Sequence, residues 1–123
     1  MESENKMKFD LEERTFVFTR NIIIYVNQLQ KTMINMEIGK QLFRSAGSVG
    51  ANYIEANGAL SKKDFRMRIR IARKESKETR YWLRLLDTGD DSSLKAKRDK
   101  LVRESTELMC ILGAILKKSE QSV

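Results

Sequence analysis

Arg66, Arg70, Arg73, Lys77, Arg80 and Arg84 recur at steps of four and three. At about 100° per residue the six fall within one narrow sector of an α-helix, and a rise of about 1.5 Å per residue makes them a cationic edge roughly 27 Å long. The chemistry open to such an edge is neutralisation of phosphates, so the expected partner is a polyanion, RNA or DNA. The charge is local: residues 59–86 hold ten Lys or Arg against three acidic residues, a surplus of seven, and the rest of the chain is balanced. The same pattern also suits a solvated helix face, or a protein-interaction scaffold whose cations pair with carboxylates of a second subunit or partner. Tyr81 is the one aromatic residue beside the stripe. Phosphate contact is therefore expected more than base readout, with steep salt dependence and modest sequence preference.

Other chemistry has little to work with. Histidine is absent, which removes the usual general base and the commonest metal ligand together. The one cysteine, Cys110, lies in Leu-Met-Cys-Ile-Leu. It is expected to be buried, has no disulfide partner and no histidine to activate it, and suits a reducing cytoplasm. Asp87, Asp90 and Asp91 lack the spacing of a calcium loop and read as a solvated connection. Glu75 and Glu78 sit inside the basic segment and read as ion-pair partners. Asn52 and Glu55 are one helical turn apart on a polar strip with Gln41, Ser45 and Ser48, the pattern of a structural polar network in which the glutamate finds a counter-charge. No phosphate loop, nucleophile elbow or metal-binding motif occurs. The expectation is a non-enzymatic protein with no metal, no cofactor and no small-molecule substrate.

The elements that must carry these residues are helices. The 123 residues are 41% apolar and 33% charged, contain no proline, and have a mean hydropathy of −0.50. That profile suits one domain, residues 1–123, of long helices with short connections. The longest apolar run, 108–116, has nine residues, far short of the roughly 20 a membrane span needs. Residues 1–10 are polar and lack a secretory h-region. A cytoplasmic protein without a membrane partner is expected.

Hydrophobic periodicity predicts helices over about 10–34, 37–57, 62–86 and 93–117. In the first, Asp10 and Glu13 have capping-box spacing. Leu11, Thr15, Phe18, Ile22, Val26 or Tyr25, Leu29 and Met33 form its stripe, and the break is expected near Asn35. In the second, Leu42, Ala46, Val49, Tyr53 and Ala56 form the stripe. Gly47, Gly50 and Ala51 suggest close approach of a neighbouring backbone, and Gly58 ends the helix. Ser61 and Asp64 cap the third. The fourth repeats Leu94, Leu101, Leu108 and Ile115 every seven residues, with Ser105 and Leu112 between; the chain should fray from 119 onward. Short connections imply an antiparallel up-down-up-down four-helix bundle. Phe65, Ile69, Ala72, Ser76, Thr79, Leu83 and Leu86 share one face of the third helix, its expected core side. Met67, Ile71, Trp82 and Leu85 form a second apolar cluster about 200–260° away, more than one buried stripe requires. A subunit contact is the expectation there.

The stretch Gln41-Leu-Phe-Arg-Ser-Ala-Gly-Ser-Val-Gly-Ala-Asn-Tyr-Ile-Glu-Ala-Asn, then Ser61-Lys-Lys-Asp-Phe and Ile71-Ala-Arg-Lys-Glu-Ser-Lys-Glu-Thr-Arg-Tyr-Trp-Leu-Arg-Leu-Leu, resembles four-helix-bundle proteins related to those encoded by intervening sequences in bacterial 23S ribosomal RNA genes. Arg44, Asn52 and Glu55 match that family's second-helix motif; Glu75, Glu78 and Trp82 match its third-helix motif. Many members read Asn-Ile-Ala-Glu-Gly where this chain reads Asn-Tyr-Ile-Glu-Ala-Asn-Gly from Asn52 to Gly58. The resemblance implies a cytoplasmic bacterial protein that assembles as a ring-like homopentamer. The related accessory proteins of diversity-generating retroelements bind nucleic acid and a reverse transcriptase through a basic surface, so a reverse transcriptase is a partner suggested by that analogy alone.

Overall fold

The computed structural model describes residues 2–122, and for residues 2–5 and 7–9 the backbone alone. The described residues form four helices and no strand: α1 (Glu2–Gln28), α2 (Met33–Asn57), α3 (Lys62–Leu85) and α4 (Ser92–Gln121). Three N-termini are set by side chains that accept from the first orphan amides. Thr32 Oγ1 accepts from Asn35 N, Ser61 Oγ from Asp64 N, and Asp91 Oδ1 from Leu94 N, each at 3.1 Å. The expected cap at Asp10 does not form, because α1 already starts at Glu2 and Asp10 is interior.

The expected break at Asn35 is also displaced. α1 ends at Gln28 and α2 begins at Met33, so Asn35 lies in the first turn of α2. Its buried amide is a clamp. Nδ2 donates to Gln30 O (3.1 Å) and Asp87 O (3.0 Å), and Oδ1 accepts from Asp87 N (2.9 Å). One side chain therefore ties the α1–α2 turn to the α3–α4 connection. Met33, expected on the core stripe, is 79% exposed, since it belongs to the new helix. Gly58 caps α2 at φ −97°, an ordinary right-handed value rather than the left-handed one a C-terminal glycine often adopts.

The core follows the stripes. α1 contributes Leu11, Phe18, Ile22 and Tyr25, with Leu29 just past its end; α2 contributes Ile38, Leu42, Ala46, Val49, Tyr53 and Ala56; α3 contributes Ile69, Ala72 and Leu83, with Leu86 as its C-cap; α4 contributes Leu101, Leu108, Leu112 and Leu116. Each large aliphatic residue buried here stabilises the fold by about 1.5–3 kcal/mol. Cys110, expected inside, is exposed. α4 has only one face toward the core, which takes every third or fourth residue of the apolar run, and Cys110 falls on the other side. The C-terminal turn holds together past residue 119, with Ser122 N donating to Ser119 O at 3.2 Å.

α3 sits deep between α2 and α4 because its central buried positions, Ala72, Ser76 and Thr79, are short. Ser76 and Thr79 lie fully inside with Ser45 of α2 and Ser105 of α4. Thr79 Oγ1 is 2.9 Å from Ser45 Oγ and 2.7 Å from Glu75 O, so a polar pair closes the α2–α3 seam without an orphan hydroxyl. The α1–α4 seam is looser. A groove of about 640 Å³ opens along it, a second of about 490 Å³ lies where Leu11, Tyr53, Phe65 and Ile115 of the four helices meet, and the buried Tyr25 hydroxyl has no hydrogen-bond partner among the described residues. Arg14 bridges the seam to Glu104 (2.7 Å) and Glu107 (3.0 Å).

The glycines of α2 differ in role. A Cβ at residue 50 would lie 3.0 Å from Thr15 Oγ1 of α1, whereas a Cβ at residue 47 would meet no heavy atom within 4 Å. Close approach therefore explains Gly50 and not Gly47. Gly47→Ala should stabilise the fold by up to about 1 kcal/mol, the ordinary helix-propensity gain. Gly50→Ala should lose that gain to displacement of the buried Thr15. Urea denaturation of the two variants beside the parent checks the contrast.

Candidate nucleic-acid interface

α3 has neighbours on two sides, and they sort its charges. On the α4 side, Arg66 is half-buried. Its Nε donates to Ser119 Oγ (3.0 Å), and its Nη2 donates to the carbonyl oxygens of Ser119 and, at 3.3 Å, Ser122. It thus caps the C-terminal carbonyls of α4. Arg80, also half-buried, places Nη1 3.4 Å from Thr106 Oγ1. Arg70 pairs with Glu120 at 3.1 Å, both about half exposed. The Arg73 guanidinium passes over Gly113, where a Cβ would lie 3.3 Å from its Nε; the missing side chain lets the arginine lie along α4. Lys77 and Arg84 are exposed, and neither makes an ion pair or hydrogen bond among the described residues. The six-residue edge therefore divides. Arg66 and Arg80 hold α4, Arg70 shares a carboxylate, and Arg73, Lys77 and Arg84 face solvent.

Two cations of this surface were not among the six. Lys74 is exposed on the same arc of α3. On α4, Lys117 is exposed four residues after Gly113, whereas Arg103 lines the groove between α1 and α4. Which side of α4 meets α3 was not visible in sequence. Tyr81, 57% exposed, lies between Lys77 and Arg84 in sequence and on the open arc.

The α2 side of α3 is acidic and closed. Arg44 pairs with Glu75 at 3.3 Å and Glu78 at 2.5 Å, and Glu78 Oε1 also accepts from Trp82 Nε1 at 3.1 Å. The Trp82 indole N–H, and then Arg44, hold the Glu78 carboxyl below the usual glutamate range. Glu75 is 7% exposed and its Oε2 has no hydrogen bond, so the Arg44 charge alone compensates its burial. Asn52 donates to Ser48 O and Ser48 Oγ, both at 2.9 Å, and accepts from Arg68 Nη1 at 3.0 Å. The network expected at Asn52 thus runs to Ser48 and Arg68. Glu55 is exposed and takes no part in it, because α3 offers its cation to Asn52 one turn away.

The second apolar cluster of α3 is partly open. Met67 is 44% and Leu85 48% exposed, while Ile71 is half-buried and Trp82 packs on the core. Another apolar patch was missed. Phe16 and Ile23 on α1 and Phe43 and Ile54 on α2 are each 40–59% exposed. Thr19 Oγ1 is 3.1 Å from Ala46 O; that contact fixes the facing sides, and helical register puts all four residues beside the α1–α2 seam. Among the described residues no group of three or more His, Cys, Asp or Glu could hold a metal ion. Asp87 accepts from Gly89 N (2.9 Å) and Asp91 caps α4. Among the described residues no helix is long and apolar enough to cross a membrane.

The acidic corner has a pH signature. The lowered Glu78 value means its stabilisation is complete above the ordinary glutamate value of about 4.3 and is lost as pH falls from there through the lowered folded value. Glu78→Gln should flatten the stability loss between about pH 5 and 3. Arg44→Met should cost about 1–2 kcal/mol near neutral pH by leaving Glu75 without a counter-charge, below the 3–5 of a fully buried pair because Arg44 is half exposed. Chemical denaturation across that pH range measures both.

Comparison with known proteins agrees with this architecture. No functionally curated protein matches the chain. A solved crystal structure, described as a protein with unknown function from the S23 ribosomal protein family of Bacteroides thetaiotaomicron VPI-5482, is 33% identical, with a TM-score of 0.72 over 86% of this chain and 97% of that one. The sequence model of the family described as 23S rRNA-intervening sequence protein matches residues 7–114, nearly the whole of the bundle. With its helical bundle and this match, the chain belongs to the 23S rRNA-intervening sequence protein family.

Proposed function

We propose that this protein is a non-enzymatic nucleic-acid-binding bundle that contacts RNA or DNA phosphates through the open arc of α3. The observation that carries the reading is that the surplus of seven positive charges sits in residues 59–86 and that Arg73, Lys77 and Arg84 remain exposed after the helices pack. Arg70, sharing Glu120 across solvent, exchanges that carboxylate for a phosphate at little loss, since exposed ion pairs are worth about 0–1 kcal/mol. Arg66 and Arg80 are left out of the binding set, because Arg66 already serves the carbonyls at the end of α4 and Arg80 is half-buried against α4 with one donor on Thr106. Lys117 of α4 widens the surface.

The bundle is read as antiparallel, up-down-up-down. The contacts of Arg14 with Glu104 and of Gln28 with Lys97 (3.2 Å) support opposite directions for α1 and α4. Assembly is read as a ring-like homopentamer in a bacterial cytoplasm, as relatives of this kind imply, with Met67, Ile71, Trp82 and Leu85 at the subunit contact. A ring repeats the cationic arc and multiplies weak phosphate contacts by avidity. A reverse transcriptase remains a partner by analogy with the retroelement accessory proteins. The scaffold alternative draws on the Arg70–Glu120 pair, which demonstrates that a carboxylate can occupy the ridge.

Titration of a generic RNA or DNA at several salt concentrations tests the reading. Three to four phosphate contacts per bound subunit predict log K falling with log salt at a slope of about 2–4. Arg73→Glu, Lys77→Glu and Arg84→Glu combined should abolish binding, with mass by light scattering unchanged. Micromolar parent protein that retards no nucleic acid at low salt removes the proposal. Binding of an acidic protein in its place favours the scaffold.

A further inference from the structure

The arc of α3 left open by α2 and α4 holds one aromatic ring. Tyr81 is 57% exposed, and it packs edge-to-face on Trp82, with ring centroids 5.2 Å apart and planes at 75°. An edge-to-face pair leaves at least one face of Tyr81 uncovered. Among the described residues no cation lies over it; the cation–π contact in the structure is Arg20 on Phe16. Trp82 is a firm brace, packed on the core and held through its Nε1 by Glu78. The ring is therefore positioned, open and wet.

Its neighbours are cations with nothing else to bind. Lys77 lies one turn before Tyr81 and Arg84 three residues after it, and both are exposed. Seven residues separate the two cations, about 10 Å along the helix, and Tyr81 lies between them in sequence. Lys74 adds an exposed charge one turn further back. A π-face near two exposed positive charges is the arrangement that takes one unpaired base with the phosphates on either side of it. A duplex does not fit this surface. It keeps its base faces inside the stack and shows a convex helix only phosphates, sugars and groove edges, so a ring on that helix adds little. A single strand offers a base face at every nucleotide.

We propose that Tyr81 is a stacking platform and that the ligand of this face is single-stranded nucleic acid, one base on Tyr81 and the flanking phosphates on Lys77 and Arg84. The proposal rests on the phosphate-binding reading above and narrows it from polyanion to unpaired strand. Stacking, being indifferent to base identity, gives this contact little sequence preference.

Fluorescence anisotropy with the full-length protein separates the two readings. The probes are 12-nucleotide single strands of RNA and of DNA, and blunt duplexes of the same sequences, at low salt. Tyr81→Ala should weaken both single strands about 5- to 20-fold and leave both duplexes unchanged, while Tyr81→Phe stays within about twofold of the parent. Lys77→Ala with Arg84→Ala should weaken all four probes. A preference between the two single strands identifies whether a sugar hydroxyl is also read. If the charge variant weakens binding but Tyr81→Ala changes nothing, or weakens strands and duplexes alike, the platform is overturned and phosphate binding stands. If the parent binds none of the four, both fall. Circular dichroism confirms that each exposed-site variant stays helical.

Discussion

The depth at which α3 lies between α2 and α4 is the constraint on which the rest depends. It is set by short side chains: Ala72, Ser76 and Thr79 on α3, Ser45 on α2 and Ser105 on α4, all fully buried. Longer residues there would hold the helices apart, and interiors pack too tightly to absorb the change. The hydroxyls carry a condition of their own, since each must be satisfied inside the bundle. Thr79 and Ser45 satisfy one another, and Ser76 donates to Ala72 O at 3.0 Å. With α3 flanked on both sides, each of its stripes acquires a different neighbour, and its chemistry divides accordingly.

That division separates the two signs of charge. Glu75 and Glu78 turn to α2 and meet Arg44. Arg66 and Arg80 turn to α4, where helix-end carbonyls and a threonine hydroxyl take their donors. A helix with mixed charges along its length thus presents an almost purely cationic arc to solvent. Glu75 and Glu78 are turned away by packing, while Asp64, in the first turn, stays exposed. The field of that arc is stronger than the sequence ratio suggests, because the neutralising carboxylates face the other way. Fixed arginines also brace the scaffold that presents the exposed ones.

The looser α1–α4 seam has a different consequence. A groove and a tyrosine hydroxyl without a hydrogen-bond partner among the described residues lie along it, whereas α3 is gripped on both sides. Local opening is easiest where apolar packing is thinnest. Motion is therefore expected to concentrate in α1, away from the cationic arc, leaving the candidate interface on the most rigid element of the bundle. The Asn35 clamp limits that motion at one end by holding the α1–α2 turn on the α3–α4 connection.

Much of the fold was legible because a helix that must bury one face writes it every three to four residues. The stripes Leu42-Ala46-Val49-Tyr53 and Ile69-Ala72-Ser76-Thr79-Leu83 needed no tertiary information, nor did the serine cap at Ser61. Helix ends were less legible: Asn35 reads locally as a break, and only the distant Asp87 backbone makes it a clamp inside α2. Cys110 and Glu55 failed for the same reason. An apolar run or a motif states residue type, while the direction of the neighbouring helix decides which members turn inward. By itself the sequence determined the helical class, the core stripes and the localisation of positive charge, since these follow from backbone period and residue chemistry. Only the tertiary structure decided which cations stay free, because a guanidinium is consumed or spared by what the adjacent helix places within about 3 Å of it, and that lies dozens of residues away along the chain.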